Sequence, residues 1–323
     1  MRFLAFELET RLNPQSPWET ILHRNELFQD HVLKHLQSMA NPGILFSYSY
    51  AARRPFRWAK KHGCTTILGQ IDPGPEEERI VADEHKRYSN LRTRWAPAPA
   101  SYWDMWREEI ELADRIVVNS EWSKECLVKV GVPEKKMHVI PLIYTPSSSQ
   151  AESTATKACR VSERFQVLYL GQINLRKGVG RLLKAMELLQ KEAFDLVLVG
   201  PTEIHPSAWE AQENVIWKGA VARSEVDALY ASADAFILPT LSDGYALTQL
   251  EAIANGLPVI ASQHCGRVVS EGQNGFLLDS LSPKSIADTI RKAADRLPLL
   301  KSQPNSFTLQ SLGRSLSNLV KES

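Results

Sequence analysis

Two acids eight positions apart, Asp243 and Glu251, stand in the segment SDGYALTQLEAIANGLPVIAS over 242–262. The pattern predicts Asp243 on a loop and Glu251 on the helix that follows. Phe236, Ile237 and Leu238 read as an apolar strand that Pro239 ends, Gly244 permits a tight turn, and 246–254 carries apolar residues at helical spacing. Asn255-Gly256 stops that helix, and 258–261 reads as the next buried strand. The first turn of such a helix, 247–249, offers unpaired backbone N–H groups and the positive end of its dipole, which suits a phosphate. Acids a little over two turns apart can then hold hydroxyl groups on either side of that phosphate. A nucleotide sugar has this layout: sugar hydroxyls, diphosphate, ribose hydroxyls.

A second candidate is the pair Arg176-Lys177. Alone, two adjacent cations read as solvated charges at a helix start. Here they lie between Gly171, which ends the apolar strand 167–170, and Gly178, where the backbone can approach a ligand. Two charge-assisted hydrogen bonds to phosphate would contribute ~1.5–3 kcal/mol each. Asp243 alone is an ordinary turn-former before glycine, but with Glu251 and the loop around it the ligand role is the better reading. Glu251, between Leu250 and Ala252 and ahead of Ile253, is expected to be partly buried. A buried carboxylate needs a partner, and ribose hydroxyls would supply one.

These residues resemble the retaining glycosyltransferases of family four (glycosyl transferases group 1), whose E-x7-E signature matches 243–251 with Asp243 in place of the first Glu. The strand Val167-Leu168-Tyr169-Leu170 with Gly171, followed by Arg176-Lys177-Gly178, resembles the family's diphosphate-gripping loop. The segments 215–219 and Leu229-Tyr230-Ala231-Ser232-Ala233-Asp234, the turn Asn274-Gly275-Phe276, and upstream 113–120, Ser123-Lys124 and Gly131-Val132-Pro133 resemble further family segments, so the match spans 106–278. The resemblance implies an α/β GT-B fold, two Rossmann-like doubly wound parallel-sheet domains facing a central cleft. It implies a retaining, metal-independent transfer from a nucleotide-diphosphate sugar, a substrate rather than a cofactor, to a glycan, lipid-linked or small-molecule hydroxyl. It assigns chemistry to Arg176, Lys177 and Asp243, and donor contacts to Gly171, Gly244, Tyr245, Ala246, Leu247, Thr248 and Glu251. Gln70 or Asp72 stands where relatives carry a His facing the donor sugar, although a Pro-Gly turn capped by Asp72 reads equally well. Gln172 departs from the Arg that usually follows the strand glycine.

The elements that must position these residues alternate strand and helix, which argues for parallel sheets covered by helices. Strands are expected over 43–48, 65–69, 115–119 and 138–141 in the first half, and near Val167, Leu196, Val215, Phe236, Val259 and Phe276 in the second. The polar, Ser-rich stretch 146–160 reads as a linker between a first domain over 1–145 and a nucleotide-sugar domain over 161–323. A closing helix over 307–320 returns to the first domain in the resembled family. The segment before Leu45 holds only Gly43 and no Gly-Gly pair, so the opening strand-helix unit is expected to be reduced, or the chain start to be missing. Trp95, Tyr102, Trp103 and Trp106 suit core or interdomain packing, with a sugar-stacking platform as the sharper alternative.

Composition sets outer bounds. The 323 residues allow about two domains, and 38 Lys and Arg against 37 Asp and Glu give no reason to expect nucleic acid. Cys64, Cys126, Cys159 and Cys265 form no CxxC pair, and no D-x-D triplet offers metal ligands, so no metal site is expected and a reducing cytoplasm fits. No membrane-spanning run or signal peptide is read. The run Arg53–Lys61 mixes bases and aromatics; it is a solvated helix face, or a contact with an acidic acceptor or with the anionic inner face of the membrane. Two further readings stand beside the transferase. One is a catalytically degenerate relative that binds a nucleotide sugar or a partner subunit. The other, a dinucleotide-dependent oxidoreductase, is poor because no G-x-G-x-x-G follows an early strand.

Overall fold

The computed structural model describes residues 16–39, 43–145, 164–296 and 308–321. The linker expected over 146–160, the first fifteen residues and Cys159 lie outside the described residues. Among the described residues, the first element of the first half is α1 (Pro17–Leu36), entered through a capping box in which the Ser16 side chain accepts from Glu19 N. There follow β1 (Ile44–Tyr48), α2 (Arg53–Lys61), β2 (Thr65–Gln70), α3 (Pro75–Arg87), α4 (Ala100–Leu112), β3 (Arg115–Val118), α5 (Glu121–Lys129) and β4 (Met137–Val139). The second half contains β5 (Phe165–Leu170), α6 (Val179–Leu188), β6 (Phe194–Val199), β7 (Val215–Trp217), α7 (Val226–Ser232), β8 (Ala235–Leu238), α8 (Thr248–Ala254), β9 (Val259–Ala261), β10 (Gly275–Leu277), α9 (Pro283–Arg296) and α10 (Leu309–Lys321).

Four strands form one sheet in the order β1-β2-β3-β4, and six form a second in the order β10-β9-β8-β5-β6-β7. Every strand pair is parallel, which requires helical crossovers and two covered faces. Alternation along the strands shows both faces of the first sheet in use. Leu68, Ile116 and Val118 pack with Trp106 and Ile110 of α4 on one side, while Ile67 and Val117 pack with Ile140 and Leu319 on the other. The last helix, α10, therefore covers the first sheet although it follows the second in sequence, and Arg115 bonds the Leu319 carbonyl. All ten expected strands are present. The helix expected from residue 246 begins instead at Thr248, because Ala246 has φ 63° and cannot join a right-handed turn.

In the second sheet β5 and β8 are neighbours, with Val167 beside Ala235 and Leu168 beside Phe236. The loops leaving their C-terminal ends, 171–178 and 239–247, consequently run side by side. Gly178 starts α6 at φ 74°, and a β-carbon there would overlap the Pro239 carbonyl oxygen. The Arg176 carbonyl accepts from Leu241 N at 2.9 Å and from Thr240 Oγ1 at 3.3 Å, which ties the two loops together.

The two halves touch at the second of these loops and beyond it. Gly244 packs so closely on the Ile71 carbonyl that a side chain would overlap it, and Trp122 Nε1 of α5 donates to Ser242 Oγ at 3.1 Å. Glu84 of α3, buried, receives two bonds of 2.6 Å from Arg181 of α6. The segment 89–99 crosses to the second half, where Thr93 bridges to Ile204 and His205 N donates to Arg92 O at 2.9 Å.

On α2, Arg54, Arg57 and Lys60 pair with Asp30, Glu108 and Asp114. The basic run is thus largely neutralised by acids of its own fold, and no described helix is long and apolar enough to cross a membrane. The close approach at Gly178 makes a test by contrast. Gly256, at φ 72° with open space around its Cα, should lose about 1 kcal/mol on Gly256→Ala from the left-handed backbone alone. Gly178→Ala should cost at least about twice that in urea denaturation, because the overlap adds to the same backbone term. Equal losses would remove the contact with Pro239 as the reason for the glycine.

Candidate functional site

Where the 171–178 and 239–247 loops meet, three of the sequence candidates come together. Lys177 Nζ pairs with Asp243 Oδ2. Arg176 Nη1 lies 3.7 Å from the same oxygen and 3.6 Å from Glu77 Oε1, and donates to the Ser242 carbonyl at 3.2 Å. The loop is braced from within by Asn174, whose Oδ1 accepts from Lys177 N at 3.0 Å. Burial pushes the Asp243 carboxyl upward, but Lys177 and Arg176 together outweigh it and hold the group below its ordinary range. Burial likewise works against the Arg176 charge, and Glu77 with Asp243 overcomes it, so the guanidinium holds its proton more firmly than usual.

Glu77 was not singled out from the sequence. It belongs to an acidic triplet, Glu76, Glu77 and Glu78, in the first turn of α3, which reads as an ordinary complement to the helix dipole. In the fold it reaches the cleft, where burial pushes its carboxyl to about 7; Arg176 pulls the other way, while Asp72 and Asp243 add to the rise.

Asp72 and Gln70 form a tight group at the end of β2. Asp72 Oδ1 accepts from Tyr50 OH at 2.6 Å, Gln70 Nε2 at 2.9 Å and Gly74 N at 2.9 Å. The last of these is the capping turn that the Pro-Gly sequence allows. Gln70 is 1% exposed and its Oε1 accepts from Trp106 Nε1 at 3.0 Å, so both ends of its amide are engaged and it orients Asp72.

Glu251 has protein partners: Arg223 Nη1 at 3.1 Å and Tyr230 OH at 3.3 Å. The burial expected of it is found, but the orphaned carboxylate is not. Arg223, a surface cation ahead of α7, carries no sequence signal for this role. Among the remaining candidates, Gly171 closes β5 with its N–H on the Val199 carbonyl at 2.9 Å. Tyr245 is buried with its ring against Gly266, and Leu247 is exposed just ahead of Thr248, the first residue of α8. Gln172 bonds Glu203. No group of three or more His, Cys, Asp or Glu placed to hold a metal ion occurs among the described residues.

A cavity of about 240 Å³ opens between the two halves beside these charges; Tyr50, Asp72, Glu77, Trp95, Trp103 and Arg176 are among its walls.

Residues 154–302 match the family described as glycosyl transferases group 1. The chain is 27% identical over 206 residues to a D-inositol 3-phosphate glycosyltransferase of Paenarthrobacter aurescens, covering 58% of this chain and 50% of that protein. It is 22% identical over 302 residues, covering 81% and 79%, to the N,N'-diacetylbacillosaminyl-diphospho-undecaprenol alpha-1,3-N-acetylgalactosaminyltransferase of Campylobacter jejuni. The chain spans about half the length of the first curated relatives it matches, between 48% and 51%. Among solved structures, sucrose-phosphate synthase from Thermosynechococcus elongatus superposes with a TM-score of 0.70 at 16% identity, covering 95% of this chain and 80% of the other. Anabaena HepE in complex with UDP and glucose gives 0.64 at 15% identity, covering 91% and 81%. The fold is GT-B.

Glu77 gives this site a pH signature. In the folded chain it keeps its proton to about pH 7, whereas its ordinary value is 4.5. Folding then takes up a proton between those values, and stability falls as pH rises from 4.5 towards 7 and is flat above. Glu109, lifted by burial to about 7 against three backbone N–H bonds, acts in the same direction. Thermal midpoints should therefore drop between pH 5 and pH 8, and Glu77→Gln should shrink the drop. A difference unchanged by the substitution would mean that Glu77 ionises normally.

Proposed function

We propose that this chain is a retaining, metal-independent glycosyltransferase that moves a sugar from a nucleotide-diphosphate donor to a hydroxyl of a glycan, lipid-linked or small-molecule acceptor. The observation that carries the reading is the meeting of Arg176, Lys177 and Asp243 at the C-terminal ends of adjacent parallel strands, beside the cleft. Ligands of open α/β sheets bind at such strand ends. The family match over 154–302 supports it, as does the fold shared with HepE, whose structure holds UDP and glucose.

The chemistry follows from charge. A departing nucleoside diphosphate gathers negative charge, and fixed cations stabilise it where water is excluded. Lys177 exchanges Asp243 for a phosphate oxygen, and Arg176 supplies a second positive group from the same loop. Asp243, released from Lys177, accepts a hydroxyl of the donor sugar, and the backbone of 244–248 faces the diphosphate. Glu251, kept in place by Arg223 and Tyr230, accepts ribose hydroxyls. The acceptor proton passes to the departing phosphate, so no separate carboxylate base is required on that face. No cofactor takes part, and the buried free cysteines Cys64, Cys126 and Cys265 suit a cytoplasmic setting.

One alternative has its own support. Asp243 is a methylene shorter than the Glu of the signature, and Gln172 is engaged with Glu203, which fits a relative that binds a nucleotide sugar without turning it over. A panel of UDP-, GDP- and ADP-sugars decides the matter. Transfer or slow hydrolysis of one donor is expected, and Lys177→Ala should weaken its binding roughly 10- to 150-fold, the worth of one charge-assisted hydrogen bond. Tight binding without turnover would select the non-catalytic relative, and indifference to the whole panel would overturn both.

A further inference from the structure

The cleft cavity has walls of two chemical kinds. One is aromatic. Tyr102 stacks on Tyr50 with ring centres 4.7 Å apart and planes at 15°, Trp103 meets Tyr102 edge-on at 5.1 Å, and Trp95 lies against His85 at 4.5 Å and 13°. Trp95 reaches this wall because segment 89–99 is pinned across the cleft by the Thr93–Ile204 bridge. The other kind is acidic: Asp72, Glu77, Glu78 and Glu203 line the same space against one guanidinium, that of Arg176. His85 adds little positive charge, since burial lowers its pKa.

The acids are not equivalent. Glu78 is committed, accepting from Ala98 N at 2.6 Å and Trp103 Nε1 at 3.0 Å, and Glu203 accepts from Gln172. The three bonds to the Asp72 side chain fall on Oδ1, which leaves Oδ2 to accept. Glu77 stands between this wall and the Arg176–Asp243 charges. Because its carboxyl titrates near 7, it can donate as well as accept a hydrogen bond around neutral pH.

Flat aromatic faces beside carboxylate oxygens complement a sugar ring, whose C–H face is apolar and whose rim is hydroxyl. In their ionised form, which Glu77 takes above about pH 7, the same carboxylates repel a phosphate or carboxylate substituent, an effect that grows where water is excluded. The volume, about 240 Å³, lies under the usual range for drug-sized ligands and suits one ring. We propose that this cavity is the acceptor subsite, and that it takes a single sugar ring bearing no anionic group, with one face on Trp95 or Trp103 and a hydroxyl on Glu77. The inference rests on the transferase reading. It adds a charge rule for the acceptor and makes Glu77 and Trp95 determinants of specificity.

The test is a titration of the full chain at about pH 8, where Glu77 is ionised, with a nucleoside diphosphate present, against two sets of probes. Methyl α-glucoside, methyl α-mannoside and methyl α-galactoside form the neutral set; glucose 6-phosphate and glucuronate form the anionic set. At least one neutral glycoside should bind at least about tenfold more tightly than either anion, a difference of about 1.4 kcal/mol. Trp95→Ala should weaken that glycoside about fivefold or more, and Glu77→Gln should narrow the gap by admitting the anions. Anions that bind as well as neutral sugars, no neutral sugar bound while the nucleotide is, or an affinity indifferent to both substitutions would overturn the proposal. Should the nucleoside diphosphate itself fail to bind, the transferase reading falls, while the preference between the two probe sets still decides the chemistry of the cavity.

Discussion

Gly178 lying against the Pro239 carbonyl is the contact on which the site depends. Because no side chain intervenes, the loops after β5 and β8 pack backbone to backbone, and the cations of one meet the acid of the other. The resulting group is expensive to bury: Arg176, Lys177 and Asp243 all lose water, and their mutual attraction offsets that loss only while each keeps a partner. Such an arrangement adds little to stability. Its value lies in preorganisation, since the cations are held in place before an anion arrives. In the proposed reading, a diphosphate takes over the role of Asp243.

The surroundings hold the cleft from several directions. Glu84 and Arg181 pair across the two halves with almost no solvent access to the carboxylate, and a buried pair of this kind is costly to break from one side. Segment 89–99 reaches over to Ile204, Gly244 rests on Ile71, and α10 returns to the first sheet. Domains of one chain are free to move by default; here that freedom is opposed on the α3–α6 side and at the site loop itself. The cavity walls consequently draw on both halves, with Trp95 and Glu77 from the first and Arg176 and Glu203 from the second.

Local pattern made the framework legible. Apolar runs such as 167–170 and 236–238 became buried central strands, and glycines such as Gly171 and Gly178 marked the loops where they turn. The charged residues of those loops were legible too, because a cation pair between two glycines has few structural reasons to be there. What could not be read depends on distance in sequence. Glu77 drew no reading, because its partner Arg176 lies ninety-nine residues further along the chain. Arg223 reaches Glu251 only through the packing of α7 beside α8, and Gln70 looked available until Trp106 and Asp72 engaged both ends of its amide. The start of α8 was misplaced by two residues because alanine gives no warning of a positive φ.

The account is tested most directly by a crystal structure of the chain with a nucleoside diphosphate bound. It predicts phosphate oxygens within about 3 Å of both Arg176 and Lys177, with the Lys177–Asp243 pair opened. A nucleotide bound elsewhere, or phosphates away from the 176–177 loop while Lys177 stays on Asp243, would contradict it.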